Sequence, residues 1–412
     1  MKKFGAILIV MVLVLGSVST VSAEVQPRYG NTGYIYYCVG TGYNDSNEYI
    51  DTTQEAKTVQ EYVQGWGYDC GSFNFFKNPA AKEFSEGRLN SPIVYFAGHG
   101  NATSVDCGNS GISIDGRYSP FVDIRNFNFN AVDLAFLAAC KSASITNSIT
   151  HRFIDGGATY AIGWVGSPST AHMLSFVKAY FLALDKGNTF EQAEDYARLK
   201  MHDYTAGLEK EDIYTFKSEG TKTACPDTNY GRSLSGSSLV DLFLEDKDGK
   251  SINYVVNDVV SYQKGSSNYS KIEKYMKENI NPNFDMNDYI VSEESFNYAG
   301  KQVIDLLFTY VVNDMRSNFA YDILIEDGNV VLVRQIGTDI TDYVPTESRI
   351  AVVDDEIVRQ MATEEIEHKE NIDEQKVYKY FDSDLKKVKY EVQTVVGTDE
   401  TGYSCVVFEY VP

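Results

Sequence analysis

The chain has 412 residues, 43% of them hydrophobic and 13% aromatic, with 58 acidic against 36 basic side chains and a formal net charge of −22. That is long enough for two domains with cores of their own and too apolar for a disordered protein. The acidic balance leaves no clustered cations for a phosphate backbone or an anionic membrane surface, so neither nucleic acid nor membrane is expected as the main partner.

Residues 1–23 have the form of a cleaved secretory signal. Lys2 and Lys3 are its basic start, Ala6 to Leu15 its apolar run, and Val21-Ser22-Ala23 its small-residue exit. No later apolar run reaches membrane length, so the mature chain is expected to be soluble outside the cytoplasm, with no membrane insertion. Residues 24–237 carry a net charge of −7 and residues 238–412 a net of −17, which makes the acidity mostly a C-terminal property.

From Thr32 to Asp203 short β-rich runs alternate with amphipathic helices, the pattern of an α/β domain with a largely parallel sheet. Gly33 to Val39 predicts a first strand. Thr52 with Glu55 has capping-box spacing and opens a helix that buries Ala56, Val59, Val63 and Trp66. Further strands are predicted at Tyr68 to Phe73 and at Pro92 to Ala97, the latter running into Gly98-His99-Gly100. A hairpin is expected from Gly111 to Ile124, then a buried strand from Asp133 to Ala139 ending at Cys140. The strand Thr159 to Val165 leads into Gly166-Ser167-Pro168. Beyond it Met173, Phe176, Val177, Tyr180, Phe181 and Leu184 mark one face of a long helix, and Thr189 with Gln192 caps another.

The Ser-, Gly- and Thr-rich stretch 218–237 places a domain boundary there, so the expected units are 24–237 and 238–412. In the second, Ser251 to Tyr262, Tyr321 to Gln335 and Val388 to Val411 read as hairpins, with turn signals at Asp248-Gly249, Asp327-Gly328-Asn329 and Gly397 to Gly402. Tyr269 to Asn279 and Glu294 to Asn318 read as helices, which makes an α+β domain.

In a parallel sheet ligands bind beyond the carboxyl ends of the strands. His99 and Cys140 each follow an apolar strand there, and an imidazole beside a thiol is the equipment of acyl transfer: thiolate as nucleophile, His as base and then as acid to the leaving amine. The segments Val94 to Gly100, Leu134 to Ala143 and Gly157 to Trp164 resemble the caspase, gingipain, clostripain and separase group of cysteine peptidases (clan CD), most of all its bacterial CHAT branch. The resemblance covers roughly residues 30–205. The separation of His99 and Cys140 is shorter than in the caspase pattern, and Ala138 and Lys141-Ser142 depart from the caspase signature.

The resemblance implies a caspase-like, mostly parallel sheet flanked by helices and a secreted cysteine endopeptidase acting on protein or peptide substrates without a cofactor. Carried over position by position, it makes Cys140 the nucleophile and His99 the general acid/base. It puts the main-chain N–H groups of Gly100 and Cys140 in an oxyanion hole, Gly163 and Trp164 in the wall of the primary pocket, and Asp45 at its base. The blander readings are a buried structural thiol at Cys140 and plain core packing at Trp164. His151, His172 and His202 read as packing or surface residues, and His368 as part of a solvated helix face.

No metal-binding spacing appears, and Asp285-Met286-Asn287-Asp288 and Asp246-Lys247-Asp248 read as turn chemistry rather than calcium loops. With Cys140 reserved, Cys38, Cys70, Cys107, Cys225 and Cys405 remain; Cys38 is expected to be free, and a Cys70 to Cys107 bridge is one open pairing. The acidic 238–412 part is read as a binding appendage in preference to an inhibitory cover, and any cationic partner is expected there. The rival to the peptidase is a non-catalytic extracellular binding protein that uses the fold as a scaffold; an amidase with the same dyad is a third reading.

Overall fold

The computed structural model describes residues 32–42, 45, 47–108, 110–116, 120–205, 215–223, 236–246, 251–266, 269–346 and 351–412. Residues 1–23, expected to be a signal, lie outside them, as do Cys225 and the expected Asp248-Gly249 turn.

The chain begins with β1 (Gly33–Tyr37), β2 (Val39–Gly40), β3 (Ile50–Asp51) and α1 (Thr53–Gly65). Next come β4 (Phe75–Lys77), α2 (Glu86–Leu89), β5 (Ile93–Gly100), β6 (Ser104–Cys107), β7 (Ser110–Ser113) and β8 (Phe121–Asp123). β9 (Leu134–Ala139), α3 (Ile149–Asp155), β10 (Tyr160–Trp164), α4 (Thr170–Asp185), α5 (Phe190–Lys200), α6 (His202–Thr205) and β11 (Phe216–Gly220) complete the first part. The second part runs α7 (Leu239–Glu245), β12 (Ser251–Val255), α8 (Ser270–Asn279), β13 (Tyr289–Tyr298), β14 (Lys301–Val312), β15 (Met315–Glu326) and β16 (Asn329–Ile336). It closes with α9 (Asp355–Glu364), β17 (Ile372–Asp382), β18 (Lys387–Thr398) and β19 (Gly402–Tyr410).

Strands β4, β1, β5, β9 and β10 lie side by side in parallel, and β11 closes the edge antiparallel to β10. Their near-continuous apolar sequences fit strands covered on both faces. One face packs on α1, α4 and α5 through Val59, Val63, Trp66, Phe176, Tyr180, Phe181 and Tyr196. The other carries Leu89 of α2 and Phe153 of α3. β13, β14, β15, β16 and β12 form an antiparallel meander, and β17, β18 and β19 form another.

Two expectations about architecture are corrected. A bridge from Ser317 to Phe381 and another from Tyr403 to Gly100 tie the two meanders into the sheet of the first part, and most pairings in the result are antiparallel. The sheet is therefore mixed, not mostly parallel. Nor is the C-terminal part a separate domain: Tyr298, Val303, Leu324, Leu332, Val395, Tyr403 and Cys405 belong to the same apolar cluster as Ile35, Phe136 and Trp164. The expected linker also begins inside an element, since Ser218 to Gly220 lie in β11.

Local expectations differ for identifiable reasons. Tyr68 to Phe73 is a turn, closed by Asn74 N–H on Gly71 O and Gly71 N–H on Asp69 Oδ1, so the strand starts only at Phe75. The expected hairpin is formed by β6 with β7, and β8 pairs with β7 in parallel. Glu294 to Asn318 is strand, not helix: Val303, Leu306, Leu307 and Tyr310 mimic a helical period only because β14 is apolar almost throughout. Thr52 does not cap α1; its hydroxyl donates to Cys38 O and Ala97 O and accepts from Cys38 N–H, while Glu55 is buried under Tyr95. Thr189 and Gln192 do form a capping box on α5.

Candidate active site

β5 and β9 are neighbours in a register that pairs Gly98 with Ala139, so His99 and Cys140 emerge side by side at the carboxyl edge of the sheet. Both are buried, at 0% and 3% exposure. Their side chains, however, turn to different partners.

His99 Nε2 lies 3.2 Å from Gly40 O in β2. A carbonyl oxygen can only accept, so Nε2 carries the hydrogen and Nδ1 keeps its lone pair. That Nδ1 is buried with no hydrogen-bond partner. Leaving a buried acceptor unpaired costs about 1–3 kcal/mol, an expense that a structural histidine would be expected to avoid. The loop after β2 closes over the ring because residue 42 is glycine: a Cβ there would stand 3.2 Å from His99 Cγ and 2.3 Å from Asn47 Nδ2. The Cys107 hydrogen bond and burial push the Cys38 thiol well above the ordinary range, against the opposing pull of His99.

Cys140 ends β9 at a sharp bend, with Lys141 in the left-handed region at φ 56°. The main chain beyond it is committed: Lys141 N–H to Gly166 O at 2.8 Å and Ala143 N–H to Trp164 O at 2.8 Å. Burial pushes the Cys140 thiol up to about 12, against the opposing pull of a Ser167 hydrogen bond, the Lys141 charge and the residue's own N–H. Burial raises the Cys405 thiol of β19 well above the ordinary range, and Cys140 nearby adds to that rise.

Gly100 fits tightly, for a Cβ there would be 2.7 Å from Ala139 Cβ. Its strand edge faces Tyr403 of β19. Around that bridge the last hairpin is pinned to the strand ends at several points. Asn101 Nδ2 donates to Asp399 O at 2.7 Å and Asn47 Nδ2 to Thr401 O at 2.9 Å. Lys141 Nζ sits 3.6 Å from the centre of the Tyr403 ring and 2.7 Å from Asp373 Oδ2. Glu48 Oε1 accepts the main-chain N–H groups of Glu367 and His368 at 2.9 and 3.0 Å, which makes His368 part of this contact rather than only a solvated face.

The three residues predicted for a pocket are spread apart. Gly163 packs against the bend after Cys140, where a Cβ would meet Thr150 Oγ1 at 2.4 Å and Ser142 Oγ at 2.6 Å. Trp164 is core, edge-on to Phe176 at 5.1 Å. Asp45 is exposed in the loop after β2 and takes a hydrogen bond from Thr41 Oγ1 at 2.5 Å. A cavity of about 700 Å³ between the start of α4 and β16 to β19, with Asp382, Glu391 and Glu409 in its wall, is lined by neither Cys140 nor His99. The suggested Cys70 to Cys107 bridge is absent, because Cys70 Sγ donates to Gly33 O and Cys107 Sγ to Asn78 Oδ1.

Sequence reasoning missed Ser167, Gly40, Asn47, Asn101 and Tyr403. Ser167 carried a signal, standing in the loop directly after β10. Asn101 follows the glycine already singled out. Tyr403 carried none, since its pairing with Gly100 spans three hundred residues of chain.

No family model matches this sequence, and no curated protein matches it. Among solved structures, the chain is similar to the crystal structure of the Arg-specific cysteine proteinase gingipain R (RGPB), at 11% identity and a TM-score of 0.35, over 92% of this chain and 69% of that one. It is similarly related to the complex of the Porphyromonas gingivalis RgpB pro- and mature domains, at 11% identity and a TM-score of 0.34, over 94% and 70%.

Proposed function

We propose that this chain is a secreted cysteine endopeptidase with Cys140 as nucleophile and His99 as general acid/base, at rest under its own C-terminal strand. The observation that carries the reading is His99: a buried imidazole with Nε2 tied to a carbonyl and Nδ1 left as an unpaired base, one strand from Cys140. Once β19 leaves Gly100, His99 Nδ1 takes the thiol proton and the thiolate attacks a substrate carbonyl. The oxyanion forms against the N–H groups of Gly100 and Cys140. His99 then protonates the leaving amine, and water hydrolyses the thioester. An extended substrate would pair with the strand edge that Tyr403 now occupies. This places the C-terminal part as an inhibitory cover rather than as a binding appendage.

The test is cleavage of a peptide library by the mature chain under reducing conditions, with Cys140→Ala as control. Cleavage by the first and none by the second supports the reading. No cleavage by either, after β19 has been released, removes it. A non-catalytic extracellular binding protein is the second reading, and the thiol pushed up to about 12 favours it. It predicts that Cys140 stays inert whether or not β19 is in place.

A further inference from the structure

His202 opens α6 and is 2% exposed, yet neither of its ring nitrogens has a hydrogen-bond partner. Its Nδ1 lies 3.7 Å from Asp305 Oδ2 in β14 and 3.5 Å from Asp322 Oδ2 in β15. Those separations are too long for hydrogen bonds. They suit two donors on one tetrahedral ion, since bonds of about 2.0–2.2 Å set neighbouring donors roughly 3.4 Å apart.

The charges point the same way. Asp305 and Asp322 are 2% and 0% exposed, and both carboxyl groups converge on His202 Nδ1, which brings two buried acidic groups to one point. Arg334 pairs with Asp322 and Asp203, while Lys200 pairs with Asp203 at 2.5 Å and with Asp246 at 3.1 Å. Four carboxylates thus share two cations in a place almost without water. The missing charge is two, that of one divalent ion beside a neutral imidazole.

We propose that His202, Asp305 and Asp322 form a divalent transition-metal site, with zinc the best match to one imidazole nitrogen and two carboxylate oxygens. The three atoms lie within 4.8 Å of one another. Arg334 Nη1 donates to Asp322 Oδ2, the oxygen nearest His202, and fixes the orientation of that carboxyl group. Because one ligand comes from a helix of the first part and two from the central meander, the ion adds its binding free energy to the joining of the two. Spacing in the sequence gave no hint of it, since His202 stands about a hundred residues before the two aspartates.

The experiment is metal analysis of the untagged full chain, purified without chelator, by inductively coupled plasma mass spectrometry, followed by thermal melting with added zinc or calcium. About one equivalent of zinc per chain is expected, with a melting point that zinc raises and a chelator lowers. His202→Asn and Asp305→Asn should each lose the zinc and the zinc-dependent rise, with circular dichroism reporting whether each variant is folded. If His202→Asn fails to fold, Asp305→Asn carries the comparison. A folded wild-type chain that holds no zinc and melts at the same temperature with and without it overturns the proposal. So does an NMR titration that finds His202 as an imidazolium at neutral pH in the presence of zinc, for two protons then supply the missing charge.

Discussion

In the parallel layer the chemically competent side chains stand at the ends of apolar strands, whereas at the seam beneath α6 they stand in the middle of them. His99 is the last residue but one of β5 and Cys140 directly follows β9, while Asp305, Asp322 and Arg334 sit well inside β14, β15 and β16. Strand ends reach solvent as soon as nothing covers them, and here the last hairpin covers them. Mid-strand charges never reach solvent, so each must find its opposite charge within the fold. On the proposed reading one cluster is built to be uncovered and the other to stay closed.

Removing a cation from the seam has the largest expected effect. Arg334 is fully buried, pairs with Asp203 and Asp322 and lies 4.0 Å from the centre of the Phe243 ring. Arg334→Ala strips Asp322 of its guanidinium and leaves Asp203 to Lys200 alone, and should cost about 3–5 kcal/mol in urea denaturation. An equal loss from a neutral substitution on β9 would erase the contrast between the regions.

Glu55 tests the contrast from the other side, as a buried carboxyl of the parallel layer with no cation beside it. Burial, opposed by the Tyr95 hydrogen bond, raises its pKa from 4.5 to about 8, so it is held protonated in the fold. The stability this proton supports is fully present below the unfolded value and is lost as pH rises through about 8. Glu55→Gln should flatten that fall and match or exceed the wild type at pH 8. Unchanged pH dependence in chemical denaturation from pH 5 to 8 would mean that Glu55 is ionised after all.

A smaller effect is expected at the cover. Asn101 bonds Asp399 O and also takes four donors of its own loop, from Thr103 and Ser104. Asn47→Ala removes one pin without disturbing that loop and should cost only about 1 kcal/mol. Its larger signature should be faster hydrogen exchange in β19, with the seam unaffected.

The parallel layer was legible because each element carries its own signal: Ile93 to Ala97 is apolar to its last residue and then changes abruptly to Gly-His-Gly. The same local logic failed for β14, whose apolar residues at helical spacing hide a strand covered on both faces. It failed at Thr52, where a capping hydroxyl is taken by neighbouring strands. The candidate dyad was legible as two strand ends, but the split partners of His99 and Cys140 were not. They depend on Gly40, Ser167 and Cys405, brought there by loops and by the last strand. The cover itself was invisible, because it rests on one bridge between Gly100 and Tyr403 and on side chains from unrelated loops.

The central claim is that Cys140 is a nucleophile activated by His99 and silenced by β19. The most direct measurement is the rate of Cys140 alkylation by iodoacetamide at neutral pH, followed by mass spectrometry, in the wild-type chain and in the Asn47→Ala/Asn101→Ala variant, each with and without His99→Ala. The account predicts slow labelling in the wild type and labelling in the loosened variant faster by roughly tenfold or more, with the gain lost when His99 is removed. If Cys140 in the loosened variant labels no faster than Cys70, or labels equally fast without His99, the thiol is structural and the account is wrong.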